Sequence, residues 1–159
     1  MTSYIEMPKH ARIWIYQSNR ILEKSEIDTI KNALNSFLEN WDAHGEKMKA
    51  AADVFYEHFV VFFVDETVAE ASGCSIDRKV ALMKSLEEKL GVNFFDRMIV
   101  TYKDGEKVIQ KKMNEFWAMR KANIITDDTL VFNNLIKTKD EFESKWIVPF
   151  KESWHAEMW

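Results

Sequence analysis

The stretch "FVVFFVD", residues 59–65, decides the predicted fold, because it is apolar on both faces of an extended strand. Its six apolar residues are β-branched or aromatic, and a strand with two apolar faces is typical of the centre of a sheet. The stretch "RIWIYQ", Arg12–Gln17, has the same character, with isoleucines on one side and Trp14 and Tyr16 on the other. Both stretches are therefore predicted to be central strands.

The order of the elements around these strands predicts the topology. Five further elements are expected, namely strands at 49–56, 97–102 and 106–111 and helices at 26–41 and 75–90. The first six elements follow the order β-α-β-β-α-β of the ferredoxin-like split βαβ motif. We therefore predict a single α+β domain over residues 1–159 with a mainly antiparallel sheet. Its ferredoxin-like core spans about 11–111, and a C-terminal β/α extension spans about 112–159.

Local signals place the ends of several elements. Ser25 with Asp28, and Thr138 with Glu141, are spaced as capping boxes at helix starts. Asp104-Gly105 predicts a two-residue hairpin turn. Gly45 is expected to end the first helix in a left-handed conformation.

The C-terminal part of the chain is predicted from weaker patterns. A sixth strand is expected within 129–138, and a short helix follows that pairs Phe142 with Trp146. The tail carries Trp154 and Trp159, so it is expected to pack on the body. A sheet with two apolar faces needs a second cover, which this Trp-rich segment or a second subunit in a homodimer would supply.

Charge and cysteine content narrow the classes of function. The 159 residues carry a net charge of −4 with a pI of about 5.6, which argues against a nucleic-acid binder. Residues 97–121 hold seven basic and three acidic residues, a local net of +4 that leaves −8 elsewhere. This segment is either a solvated face or a weak anion-binding surface.

The location is predicted from what the sequence lacks. There is one cysteine, so no intramolecular disulfide forms, and the N-terminus lacks a secretory pattern. The longest apolar run covers residues 59–64, whereas a membrane span needs about 20 residues. We predict a cytoplasmic protein without a membrane span.

The loop "ASGCSID", residues 71–77, precedes the second predicted helix and raises the question of a phosphate site. A P-loop needs G-x-x-x-x-G-K-[ST], whose backbone N–H groups and lysine surround the phosphates. The four glycines of the chain are too far apart for this motif, so P-loop ATPase activity is excluded. Gly73, Ser75 and Ser72 remain a candidate site for a simple anion. The alternative is a helix start, with Gly73 at an unusual backbone angle and Ser75 as the cap.

The only cysteine, Cys74, lies in the same loop and is a candidate nucleophile. A helix N-terminus lowers the pKa of a thiol, and His44 is the candidate base. The alternative is a structural cysteine, because free Cys is among the most buried residue types. A reactive thiol predicts rapid labelling of Cys74 at neutral pH.

The histidines give no metal-binding pattern. They stand at 10, 44, 58 and 155, and the H-E-x-x-H motif is missing. The "HAE" at 155–157 matches one half of the deaminase signature, but the P-C-x-x-C half is missing. We therefore predict neither a metal site nor a cofactor.

Four stretches of the chain carry a family resemblance. "RIWIYQSNR", "FLENWDAHG", "DETVAEASGCSID" and "VFNNLIKTKDEF" resemble a family of small uncharacterised Bacteroidetes proteins that are often labelled "ABC transporter ATPase". That label implies Walker motifs, and this sequence departs from it at residues 71–77, as described above. The resemblance therefore implies no activity for particular residues.

Three functions remain as hypotheses. The first is a non-enzymatic binding or interaction module for a protein or small-molecule partner, because aromatic residues are abundant and catalytic motifs are missing. The alternative is a small-molecule or anion-binding enzyme that uses the Ser72–Asp77 loop. The third is a binder of nucleic acid or acidic partners through residues 97–121, which the overall charge disfavours.

Overall fold

The structure, a computed structural model, describes residues Ser3–Trp159. It is a mixed α and β structure with antiparallel sheets, as predicted. Two compact units make up the described chain. Unit 1 runs up to Phe95 and includes Lys137–Asp140, and unit 2 comprises Asp96–Ile136 and Glu141–Trp159. The single domain over residues 1–159 stays a prediction.

Unit 1 contains five strands and two long helices. In chain order these are β1 (Arg12–Gln17), α1 (Lys24–Glu39), β2 (Asp42–Ala43), β3 (Glu46–Lys47), β4 (Lys49–Phe55), β5 (Phe59–Asp65) and α2 (Gly73–Leu90). A short 3-10 helix, Tyr4–Glu6, precedes β1. The bounds of β1, β4 and β5 agree with the predicted strands to within one residue, whereas β2 and β3 were not predicted.

The main sheet of unit 1 has the order β1-β5-β4, and both pairings are antiparallel. All seven residues of β5 are buried, so the prediction of a central strand is confirmed for β5. The same prediction is wrong for β1, which lies at an edge of this sheet, where a single bridge joins Arg12 to Thr138. The ferredoxin-like topology is not confirmed, because its fourth strand pairs in a different sheet.

The helix α1 starts two residues earlier than predicted. Its N-cap is Glu23, and the Glu26 carboxylate accepts a hydrogen bond from the Glu23 backbone N–H at 2.9 Å. The predicted cap Ser25 is therefore wrong, since it lies inside the first turn. Arg20 donates two hydrogen bonds to Glu26, at 2.8 and 2.7 Å, and a third to the Leu90 carbonyl. This arginine ties the start of α1 to the end of α2.

The start of α2 also differs from the prediction. Ser72 is the N-cap, and its hydroxyl accepts a hydrogen bond from the Ser75 backbone N–H at 3.1 Å. The Ser75 hydroxyl accepts one from the Ser72 N–H at 2.8 Å, so the two residues form a reciprocal capping box. Gly73 does not have a positive φ, so the expected unusual backbone angle is wrong.

A hairpin replaces the predicted left-handed end of α1. Strands β2 and β3 pair around His44 and Gly45, which have φ angles of 54° and 79°. Two consecutive left-handed residues are the requirement of a type I′ turn, and glycine meets it without strain. Gly45 is therefore left-handed as predicted, but it serves a turn between strands.

The core of unit 1 lies between one sheet face and the two long helices. The side chains that form it from the sheet are mainly aromatic and β-branched, and the helices contribute leucine, isoleucine and methionine. Trp41 is fully buried and donates from its indole N–H to the Ser75 carbonyl at 2.9 Å. On the second sheet face, the ring of Tyr4 packs against Phe55 and Phe63.

Unit 2 has its own antiparallel sheet. Its elements are β6 (Ile99–Asp104), β7 (Lys107–Lys112), α3 (Met113–Lys121), β8 (Leu130–Phe132), α4 (Lys139–Ser144, whose first two residues belong to unit 1), β9 (Ile147–Pro149) and α5 (Trp154–Met158). The strand order is β7-β6-β8-β9. The predicted hairpin between β6 and β7 is confirmed, but its turn residues are Gly105 and Glu106, one position later than the predicted Asp104 and Gly105.

The tail of the chain packs within unit 2. The Trp159 ring lies 5.5 Å from that of Trp117, and the predicted stacking of Phe142 on Trp146 is present at 4.8 Å. His155 is buried beside Phe116 in the core. Among residues 3–159, none of the helices is both long and apolar enough to cross a membrane.

Candidate functional site

The hydroxyl groups of the predicted anion loop are engaged in capping α2. The hydroxyl of Ser75 is bonded to both the N–H and the carbonyl of Ser72, and Ser75 is completely buried. A Cβ atom placed on Gly73 would meet nothing within 4 Å, so close packing does not require glycine there. The structure thus agrees with the alternative interpretation of this loop, in which Ser72 and Ser75 cap the start of α2.

The candidate nucleophile and base are both on the surface. Cys74 is exposed in the first turn of α2, so the alternative of a buried, structural cysteine is wrong. His44 is exposed in the β2–β3 turn. Within residues 3–159 no hydrogen bond joins the two side chains, and a catalytic role for them stays a prediction.

The histidines and acids form no metal cluster. In the part of the chain that the structure describes, no group of three or more His, Cys, Asp or Glu side chains is arranged to hold a metal ion. His10 contacts Asp65 at 3.4 Å, and a hydrogen bond from the Thr67 hydroxyl is the main cause that lowers the pKa of Asp65. This arrangement stabilises the end of β5.

A buried lysine, Lys79, is the strongest functional candidate. It lies on the face of α2 that packs on the sheet, one turn after Ser75 and one turn before Met83. Only 1% of the residue is exposed, although lysine is almost never fully buried without a partner. A charged group in an apolar core requires an explanation in terms of function or compensation.

Aromatic rings surround the amine of Lys79. Its Nζ atom lies 4.0 Å from the centre of the Trp14 ring, 5.2 Å from that of Tyr16 and 5.9 Å from that of Phe62. Trp14 and Tyr16 are two residues apart on β1, so both side chains point to the same sheet face. The rings attract the cation through their negative faces.

The amine has no hydrogen-bond acceptor among residues 3–159. A second buried lysine of unit 1 shows what a satisfied amine looks like. Lys139 donates to the carbonyl of Ile5 at 3.0 Å and to that of Met7 at 2.7 Å. The environment of Lys79 therefore differs from that of an ordinary structural lysine, because its three N–H donors meet only ring faces.

A second cation lies beside Lys79. The guanidinium of Arg12 is 4.5 Å from the centre of the same Trp14 ring, and its ion pair with Glu66 is long at 3.6 Å. Burial, and to a lesser degree the charge of Arg12, lower the pKa of Lys79 to about 7. At neutral pH this lysine is therefore divided between its charged and uncharged forms, whereas an ordinary lysine is fully charged.

The hydroxyl of Tyr16 is the other polar group of this cluster. Burial raises the pKa of Tyr16 to about 12, so the phenol stays protonated, and it has no hydrogen-bond partner within residues 3–159. In that range, Nδ1 of His155 is the only fully shielded side-chain nitrogen or oxygen without a partner.

The prediction from sequence missed Lys79 because the apolar residues of α2 suggest a different inward row. Ile76, Val80 and Met83 have the spacing of one helix face, but Ile76 and Val80 are only half-buried. The fully buried row is Ser75, Lys79, Met83 and Leu86. The signal was available, because Lys79 precedes Met83 by one helical turn, which is the spacing of a shared helix face.

Comparison of the chain with protein-family models, with curated proteins and with solved structures finds no match in any of the three. The functional argument therefore rests on the geometry of the Lys79 site, which we define as Arg12, Trp14, Tyr16, Phe62 and Lys79.

Proposed function

We propose that the protein is a non-enzymatic binding protein for small organic carboxylates, and that Lys79 is the centre of its binding site. The observation that carries this proposal is a buried amine that has no hydrogen-bond acceptor among residues 3–159. A buried charge is ordinarily paired, so the missing partner of Lys79 would be an anion that the protein binds.

The surroundings of the amine favour an organic anion. Small-molecule sites combine apolar and aromatic walls with a few polar groups that orient the ligand. The rings of Trp14, Tyr16 and Phe62 would form the walls, and Lys79 with the Tyr16 hydroxyl would supply the polar contacts. The charge of Arg12 on the same Trp14 ring adds to the positive potential that attracts a carboxylate.

The alternative explanation is purely structural, with cation–π contacts as the only role of the lysine. Such contacts contribute about 2 kcal/mol when they are desolvated, whereas burying a charge costs several kcal/mol. The contacts offset part of this cost, and the lowering of the Lys79 pKa to about 7 means that the charged form remains disfavoured. A bound carboxylate removes this imbalance, because charge-assisted hydrogen bonds are roughly twice as strong as neutral ones.

Isothermal titration calorimetry with oxamate tests this proposal. Oxamate has a carboxylate and an amide, so it does not react with amines. We expect saturable binding to the wild type and at least a tenfold weaker affinity in Lys79→Met, as the loss of a charged hydrogen bond predicts.

Lys84→Met is the matched control for this titration. Lys84 lies on the same helix, with its Nζ 4.1 Å from the Phe95 ring centre, but its side chain is 59% exposed. Its removal should leave the affinity unchanged. Equal affinity of the wild type and Lys79→Met would refute the proposal, as would the absence of any binding to the folded wild type.

Several expectations from the sequence stay as predictions beside this proposal. They are the resemblance to the Bacteroidetes family, the cytoplasmic location, a protein partner or homodimer, and the use of the Ser72–Asp77 loop by an enzyme. None of them is needed for the Lys79 site.

A further inference from the structure

The sheet of unit 2 ends in two edge strands of different character. Strand β9 has three residues and includes Pro149, and both a short length and a proline discourage another chain from pairing with an edge. Strand β7 forms the other edge and has six residues, Lys107–Lys112, none of them proline. Its six pairs with β6 follow one another without a bulge. Strand β7 therefore lacks the protections that length, proline and bulges give to an edge.

The outer side of β7 has the backbone geometry of a sheet edge. The pair Asp104 and Lys107 flanks a two-residue turn, and Met113 donates from its backbone N–H to the Met98 carbonyl at 2.7 Å. Both contacts fit one alternation, in which every second residue of β7 is hydrogen-bonded to β6. Val108 lies between two such residues, so its backbone N–H and carbonyl point away from β6. None of the six residues of β7 is buried.

The side chains of β7 limit which strand pairs with it. Lys107, Ile109 and Lys111 are spaced two residues apart, so they share one face of the sheet. Ile109 packs against the core of unit 2, and the two lysines flank it. These lysines oppose pairing with a basic strand or with β7 of a second copy, because like charges then lie opposite each other. The same charges attract an acidic strand.

We propose that β7 binds an extended acidic segment of a partner protein, which adds a fifth strand to the four-stranded sheet of unit 2. In such complexes the backbone hydrogen bonds supply affinity, and alternate side chains supply specificity. The segment has acidic residues at positions i and i+4, opposite Lys107 and Lys111, and an apolar residue at i+2, opposite Ile109. This interaction does not involve the Lys79 site, so either proposal can fail without the other.

The charge of the chain favours a peptide over a nucleic acid as the occupant. Residues 97–121 hold seven basic and three acidic residues, a local net of +4, but the whole chain carries −4. A nucleic-acid binder ordinarily has a basic domain. Two lysines four residues apart on one strand also match two carboxylates four residues apart on another, because both strands have the same rise per residue.

Fluorescence anisotropy of a labelled peptide tests the proposal on the full chain. The probe has seven residues, in which threonine alternates with glutamate, valine and glutamate. We expect saturable binding to the wild type, and an affinity lower by roughly tenfold or more in the double variant Lys107→Gln/Lys111→Gln. Lys84→Gln/Lys89→Gln is the matched control, because it removes two exposed lysines of α2 and gives the same total charge. It should bind the peptide as the wild type does.

Two further measurements distinguish strand pairing from a simple attraction of charges. A peptide of the same sequence with N-methylated backbone amides keeps its charge but cannot donate backbone hydrogen bonds, so it should bind roughly tenfold more weakly. Hydrogen exchange followed by NMR should show that the Val108 amide exchanges roughly tenfold more slowly in the complex, because the bound strand supplies its acceptor. Neither measurement requires a variant to fold.

Several results would overturn the proposal. They are the absence of saturable binding, equal losses of affinity in the β7 and α2 double variants, and equal binding of the N-methylated peptide. Displacement of the peptide by an equal concentration of single-stranded oligothymidine would also overturn it, because it would show a general surface for polyanions. A peptide with lysine in place of both glutamates should not bind, and its binding would contradict the role of Lys107 and Lys111.

Discussion

Nζ of Lys79 lies 4.0 Å from the centre of the Trp14 ring. A buried ammonium ordinarily has a hydrogen-bond acceptor, but among residues 3–159 this amine has none. This contact connects helix α2 to strand β1, and the surrounding residues compensate the charge of Lys79 only in part. It has consequences for stability as well as for binding, and the two can be measured independently.

The first prediction concerns the stability of a variant without the amine. Lys79→Met keeps an unbranched side chain in the core and removes the burial of charge, so it should raise the free energy of unfolding at pH 7. The pKa of Lys79 is about 7 in the folded chain and 10.5 in the reference state. The unfolded chain therefore binds more protons between these values, and wild-type stability should rise with pH across that window.

The size of this effect follows from the two pKa values. Between pH 7 and pH 10.5, the free energy of unfolding of the wild type should rise by about 4 kcal/mol relative to that of Lys79→Met. Urea denaturation at a series of pH values measures it. The exposed Lys84→Met variant should follow the wild type throughout. A difference in unfolding free energy between the wild type and Lys79→Met that stays constant with pH would contradict the prediction.

The second prediction concerns the pH dependence of ligand binding. A carboxylate prefers the charged amine, so the affinity for oxamate should fall as the pH rises above 7. Burial raises the pKa of Tyr16 to about 12, so its phenol keeps its proton through this range. Calorimetry at pH values on both sides of 7 measures the change. An affinity that is independent of pH would mean that Lys79 does not contact the anion.

The third prediction concerns acid unfolding and His155. Burial lowers the pKa of His155 to about 4, against 6.5 in the reference state. The unfolded chain takes up this proton first as the pH falls, so stability is lost between 6.5 and 4, by roughly 3 kcal/mol. His155→Phe should lose less stability than the wild type in this window, whereas His44→Gln, on the surface, should lose as much. Parallel curves for the wild type and His155→Phe would refute this cause.

The fourth prediction tests the assignment of helix caps. Ser72→Ala removes the hydroxyl that accepts from the Ser75 N–H, and should cost about 1 kcal/mol of unfolding free energy. Ser25→Ala should have almost no effect, because Glu23 rather than Ser25 caps α1. Thermal unfolding of both variants provides the comparison. A larger loss for Ser25→Ala would restore the capping box that the sequence suggested.

The fifth prediction concerns Arg20, which bonds Glu26 twice and the Leu90 carbonyl once. The hydrogen bond from Arg20 is the main cause that lowers the pKa of Glu26 to about 2. Because the Arg20 side chain is 41% exposed, we expect Arg20→Lys to cost only about 1 kcal/mol. Lys151→Met, which breaks an exposed pair with Asp128, should cost less than about half of that. Equal effects would show that the two-bond geometry has no special value.

The parts of the fold that the sequence predicts are those with a local signal. Strands β1 and β5 carry continuous β-branched and aromatic residues, and β7 follows a turn that Asp104-Gly105 marks. The ferredoxin-like sheet is not confirmed, because β6 pairs with β7 and with β8, the second of which is distant in sequence. Alternation of apolar residues identifies a strand, but it does not say which sheet the strand joins.

The candidate site was harder to predict for a different reason. Reading Lys79 as a surface residue follows from its type, since lysine is rarely buried without a partner. Its true position depends on the rotation of α2 against β1, which places the row of Ser75 and Met83 inward. A shift of one residue in a helix turns the face by about a quarter of a turn, and sequence patterns alone do not fix that angle.

The central claim is that the Lys79 amine has no hydrogen-bond acceptor among residues 3–159 and binds an anionic ligand. Nuclear magnetic resonance of protein labelled with ¹³Cε-lysine measures its titration directly, with Lys79→Met to assign the signal. The account predicts one lysine that titrates near pH 7, as the pKa of about 7 implies, and that moves to higher pKa when oxamate is added. A Lys79 signal that titrates with the exposed lysines, and that oxamate leaves unmoved, would contradict it.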